Sequence, residues 1–230
     1  MKQKEISLNT PPISKMNISD ETEDHFISSY NTPLRKDAFD IDDQKKIELI
    51  ESRFKEIMEI MGLDLNDDSL KGTPHRVAKM YVKEIFSGLN PKNRPATKLF
   101  ENKYNYDEML VEKDITFYSN CEHHFVPIIG KAHVAYFSSG KVIGLSKINR
   151  IVQYYAKRPQ VQERLTVQIA NDLKDTLQTK DVAVVIDATH LCVASRGVND
   201  TNSTTGTAHF SGKFREELIR KEFLNFINAK

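Results

Sequence analysis

The chain has 230 residues and a formal charge of +1 from 33 basic and 32 acidic side chains, which excludes a broad cationic surface for nucleic acid or anionic membrane. It is long enough to bury a substantial core, and any phosphate binding has to be local. The N-terminus lacks an apolar signal core, no stretch resembles a membrane span, and there are only two cysteines. Together these features favour a reducing, cytoplasmic setting in which thiols bind metal or do chemistry.

Residues 1–41 are rich in Ser, Thr, Asn, Asp and Lys, carry Pro11, Pro12 and Pro33, and show no sustained apolar period, which predicts a flexible polar tail. From Asp42 the pattern changes. Ile47, Ile50, Phe54, Ile57, Met58 and Met61 recur at three and four residues, the stripe of an amphipathic helix that Gly62 ends. Thr73-Pro74 reads as an N-cap followed by proline at the first helical position, opening a second helix with Val77, Val82, Ile85 and Phe86 on its buried face. Arg76 and Lys79 share one side of it, where they either hold an anion or face solvent. Residues 42–105 are therefore read as an N-terminal helical region, its last part, 90–105, being a connection with Pro91 and Pro95.

Residues 106–230 carry the rest of the fold and the chemistry. Met109, Val111, Ile115 and Phe117 fall on odd positions, as in a strand with one buried face. Ser119-Asn-Cys-Glu-His-His-Phe125 follows directly, and Val126–Phe137, interrupted by Gly130, reads as a second strand that turns at Gly140. Ser146 reads as the cap of a helix with Lys147 and Arg150 near its N-terminus, whose free N–H groups favour anions. Pro159 interrupts this helix and opens the next, in which Val161, Leu165, Ile169, Leu173 and Leu177 keep a four-residue spacing and Gln162 and Glu163 occupy the first turn.

Asp181–Asp187 is a β-branched run suited to a buried strand, and it leads into His190-Leu191-Cys192. In an extended segment alternate residues point the same way, so His190 and Cys192 are expected to face one site. Thr201–Gly212 reads as a loop or polar strand, and Phe214, Leu218, Phe223 and Ile227 as a closing amphipathic helix. The element pattern is α+β.

Cys121, His124 and Cys192 make a Cys₂His set, which suits Zn²⁺ and leaves its fourth position for water. A structural site with a fourth ligand from His123 or His190 is the bland alternative. If they are not ligands, these two histidines are proton carriers beside the metal, since their ordinary pKa of ~6.5 lies near working pH. Arg76, Lys79, Lys147, Arg150 and Arg196 supply more positive charge than an uncharged substrate needs, which a polyphosphate explains. Gln162 and Glu163 pair an amide with a carboxylate, as the donor and acceptor edge of guanine requires, although singly each suits a surface equally well.

Five segments in order resemble signatures of the GTP cyclohydrolase I family: Thr73-Pro-His-Arg-Val-Ala-Lys-Met-Tyr81, Cys121-Glu-His-His124, Gly144-Leu-Ser-Lys-Ile-Asn-Arg150, Arg158-Pro-Gln-Val-Gln-Glu-Arg-Leu-Thr166 and His190-x-Cys-x-x-x-Arg-Gly197. The resemblance spans about residues 45–225. It implies hydrolytic opening of the guanine imidazole ring of GTP, release of C8 as formate and closure to 7,8-dihydroneopterin triphosphate, the first step of folate and pterin biosynthesis. It implies Cys121, His124 and Cys192 as zinc ligands and His123 and His190 as catalytic histidines. Ser146, counted with the catalytic group, is implied with Lys147, Arg150 and Arg196 to hold the triphosphate and ribose end, and Gln162 and Glu163 to anchor guanine. Arg76 and Lys79 match cations that reach the site from a neighbouring subunit.

The fold so implied is the tunnelling fold, an antiparallel sheet with helices packed on one side, preceded by the N-terminal helical segment. It assembles into rings that stack as a homodecamer. A zinc deaminase would need a Pro-Cys-x-x-Cys pair that this chain lacks. A related tunnelling-fold reductase would use a cysteine nucleophile without zinc, against which the Cys-Glu-His-His set argues. The remaining alternative is a non-catalytic structural zinc or pterin-binding protein of the same fold.

Overall fold

The computed structural model describes residues 29 and 31–229, so most of the tail expected over 1–41 lies outside the described residues. Helix α1, Asp43–Ile60, starts where the Asp42 side chain accepts from the Lys45 amide at 2.7 Å, and it ends before Gly62 at φ 80°. It buries only Ile47 and Met58 and packs against α2, Thr73–Met80. The cap of α2 is Gly72 rather than Thr73. Thr73 Oγ1 instead accepts from the Arg76 guanidinium at 2.8 Å, which occupies the oxygen expected to cap the helix. Within the expected connection, strand β1, Leu99–Glu101, pairs with β4, Lys141–Ile143.

The main sheet holds β2, Leu110–Cys121; β3, Pro127–Tyr136; β5, Pro159–Gln160; β6, Val182–His190; and β7, Thr205–Phe210, in the order β5-β2-β3-β6-β7. All neighbours are antiparallel except β5, which runs parallel to β2. A bulge between Glu112 and Ile115, with Asp114 at φ 60°, inserts one residue into β2 and reverses the inside and outside positions beyond it. Met109 and Val111 therefore pack with Ala135, Phe137, Phe214 and Phe223. Ile115 and Phe117 belong to the main core on the other face, so the single buried face expected from the odd positions is not formed.

That main core lies under α3, Leu145–Ala156, and α4, Gln162–Leu177. Their fully buried Ile148, Ile151, Leu165, Ile169 and Leu173 meet Phe117, Ile128, Val184 and Ile186 of the sheet. Each such side chain stabilises the fold by roughly 1.5–3 kcal/mol relative to exposure. The opposite face is not bare: α6, Glu217–Asn228, covers part of it through Phe223, whereas Leu218, expected in the apolar stripe, is exposed and Phe214 precedes the helix.

Three more local expectations change. Gly130 does not interrupt β3; it pairs with Phe117 and Ala188 in mid-strand, where a Cβ would meet the Asp187 carbonyl and the Phe117 ring. Ser146 is the second residue of α3, and Gly144 takes the cap position with no side-chain bond. Pro159 lies in β5 rather than opening α4, whose N-cap is Val161.

Candidate metal centre and active site

The Cys-Glu-His-His stretch is the tight connection between β2 and β3. Phe125 takes φ 54°, its amide donates to the Cys121 carbonyl at 2.9 Å, and its carbonyl accepts from the Asn120 side chain at 3.0 Å. The Glu122 amide donates to the Gln160 carbonyl at 3.0 Å, so β5 holds this turn against the start of α4. The next strand over, β6, ends at His190, which pairs with Ile128 just beyond the turn. The chain then coils into the short helix α5, Leu191–Ala194, so Cys192 sits on a helical turn and not on the extended segment expected.

This brings one ligand atom each of Cys121, His124 and Cys192 within 4.8 Å of one another. A tetrahedral zinc ion holds two thiolates and an imidazole roughly 3.5–3.8 Å apart, so the donor set and spacing fit such an ion after a small contraction. Both cysteines are free thiols. Burial first, and then the neighbouring Cys121, pushes the Cys192 thiol up. Two thiols held this close are costly to ionise together unless a cation joins them.

His123 Nδ1 lies 3.7 Å from Cys121 Sγ, and its ring stands at 76° to that of His124. His190 Nε2 lies 2.7 Å from Gln162 Oε1. The Gln162 amide nitrogen donates to the carbonyls of Ile186 at 3.1 Å and Thr205 at 2.8 Å, which fixes the amide with its oxygen toward the histidine. His190 Nε2 must then be the donor, and in the neutral ring Nδ1 is left as the acceptor. Burial lowers the His190 pKa, partly opposed by the Glu163 charge, which favours the neutral ring.

Gln162 and Glu163 thus sit beside the cluster on the first turn of α4, the former buried and the latter exposed. Arg196 follows α5 closely enough for its charge to act on Cys192. Ser146, Lys147 and Arg150 are not brought to this end. The C-terminus of α3 leads into β5 beside Cys121, and at 1.5 Å per residue Ser146 is about 15 Å back along that helix. Arg150 lines a cleft with Ser87, Asn93 and Gln153. Arg76 and Lys79 are exposed on α2, with Arg76 donating to the Ser69 carbonyl at 3.1 Å.

Sequence reasoning missed the partner of Glu122. Arg164, on α4, donates to both its carboxylate oxygens, at 2.5 and 3.1 Å. The signal was faint: one acid and one base, each embedded in a motif. Among the described residues no helix is long and apolar enough to cross a membrane.

The family model for GTP cyclohydrolase I matches residues 50–228. A GTP cyclohydrolase 1 of Flavobacterium johnsoniae is 62% identical over 203 residues, covering 88% of this chain and 91% of the relative. The Aeromonas hydrophila and Citrobacter koseri proteins of the same name are 57% and 53% identical, over 84% and 85% of this chain and 88% and 89% of their own lengths. With the match running from within α1 to the end of α6, the chain belongs to the GTP cyclohydrolase I family.

Proposed function

We propose that this chain is a zinc-dependent GTP cyclohydrolase I, which opens the guanine imidazole ring of GTP, releases C8 as formate and yields 7,8-dihydroneopterin triphosphate at the entry to folate and pterin biosynthesis. The observation that supports it most is the convergence of Cys121, His124 and Cys192 with His123, His190 and the first turn of α4 at one end of the sheet. Cys121, His124 and Cys192 hold the ion. The chemistry zinc supplies when bound is Lewis acidity, which makes water a nucleophile near neutral pH.

The protein's own groups do the rest. His190 accepts a proton at Nδ1, because Gln162 holds Nε2 as the donor. His123, beside Cys121, carries a second proton to or from the opening ring. Glu163 accepts from the donor edge of guanine while Gln162 backs the site, and Arg196 offers a cation to the ribose and phosphate end.

Ser146, Lys147, Arg150, Arg76 and Lys79 complete triphosphate binding from neighbouring copies. The run of α3 away from the cluster, which carries Ser146 about 15 Å back along that helix, supports a homo-oligomer with shared sites, a ring-built decamer. The free thiols suit a reducing, cytoplasmic setting. The test is incubation of the zinc-loaded chain with GTP followed by oxidation: a fluorescent pterin is expected. Stoichiometric zinc with no pterin would mean a non-catalytic protein of this fold.

A further inference from the structure

Within the Cys-Glu-His-His turn, Glu122 is outside the Cys121, His124 and Cys192 set, and its Oε1 lies 3.9 Å from His123 Nε2. Its carboxylate is mostly buried and takes both oxygens to the Arg164 guanidinium, at 2.5 and 3.1 Å, and the Arg164 side chain is 3% exposed. The third guanidinium group, Nε, donates to the Ser29 carbonyl at 2.7 Å. Such a two-pronged pair fixes distance and orientation in a way a lysine pair does not. Its place matters: Glu122 lies between Cys121 and the two histidines, and Arg164 lies directly after Gln162 and Glu163.

Burying two charges costs desolvation that their attraction roughly cancels, so an apolar pair of similar volume would stabilise the fold at least as well. Stability alone therefore does not account for an ion pair at this position. We infer that Glu122 and Arg164 are positioning residues, a clamp that locks the zinc-ligand turn to the first turn of α4 and so sets Cys121 and His124 for the metal at a fixed offset from Glu163. This rests on the metal site proposed above.

The test removes the clamp without leaving a buried charge. In the full-length double variant Glu122→Leu/Arg164→Met, zinc affinity is measured by competition with a chromophoric chelator, alongside thermal unfolding of the metal-free protein. The clamp predicts a chain that melts at or above the wild-type temperature yet binds zinc about 10–100-fold more weakly, the usual cost of losing a partner behind a metal ligand. Zinc affinity within twofold of wild type would overturn it, as would a loss of affinity that only tracks a loss of melting temperature.

If the double variant does not fold, Glu122→Gln, which can still accept one hydrogen bond from Arg164, carries the same comparison. If neither folds, the pair is a stability element and the inference fails. Because zinc affinity is read without GTP, a chain that binds zinc but leaves GTP intact would sink the enzymatic reading and not this one.

Discussion

Gln162 has two readings that kinetics can separate: a guanine anchor facing substrate, or the group that orients His190. The geometry favours the second, because its amide nitrogen is occupied by the Ile186 and Thr205 carbonyls and the Thr207 hydroxyl, and its oxygen by His190. Gln162→Ala takes the partner from the His190 Nε2–H and the side-chain donor from the Ile186 and Thr205 carbonyls, while Thr207 Oγ1 keeps Thr166 Oγ1. At roughly 1 kcal/mol net per hydrogen bond, and more for each group left unsatisfied, the fold should lose about 2–4 kcal/mol, read as a lower midpoint in urea. The larger effect is on catalysis. A histidine free to rotate or change tautomer forfeits general acid–base assistance worth about 10²–10⁴, so kcat should fall by that range with KM for GTP little changed. A raised KM with kcat within threefold of wild type would refute this reasoning and restore Gln162 to guanine.

Further changes probe other levels of the account. Cys192→Ser should abolish stoichiometric zinc and turnover together, since a neutral hydroxyl is a poor zinc ligand; metal analysis showing one zinc per chain would contradict the ligand set. Phe117→Ala, at a fully buried ring on β2, should cost about 3–5 kcal/mol by chemical denaturation, and a loss below 1 kcal/mol would mean the core collapses around the gap. Burial raises the Asp172 carboxyl, but hydrogen bonds from Arg94, Tyr155 and Thr176 outweigh it and hold the pKa below the ordinary value. A depressed carboxyl contributes stability that is full above its unfolded value near ~3.9 and lost as pH falls through the folded one. The melting-temperature gap between wild type and Asp172→Asn should therefore hold from pH 7 to about pH 5 and narrow below about pH 4; a gap that widens on acidification would contradict the pairing.

What the sequence revealed depended on how strongly each feature is encoded. The four-residue stripe from Leu165 to Leu177 could hardly be anything but a helix, and all four positions are buried. The clustering of Cys121, His124 and Cys192 was legible because soft ligands are scarce in this chain, so two cysteines each beside histidines stand out. The bulge at Asp114 was not legible, since one inserted residue leaves the apolar alternation looking intact while moving Met109 and Phe117 to opposite faces. Pro159 misled because proline suits a helix start and a strand edge equally, and only pairing with Asn120 decides. Cys192 reached the site by a helical turn, where the strand rule gave the right neighbour for the wrong reason. The pairing of Glu122 with Arg164 was not legible, because nothing local tells a buried pair from two solvated ones.

Whether Cys121, His124 and Cys192 hold a zinc ion with which the chain expels C8 of guanine can be read by titrating zinc into the metal-free protein with GTP labelled at C8 and following labelled formate. The account predicts that formate release rises in step with zinc occupancy and saturates at about one ion per chain, the stoichiometry of a single Cys₂His site. Label that stays in the purine at full zinc occupancy, or formate released at the same rate without zinc, would contradict it.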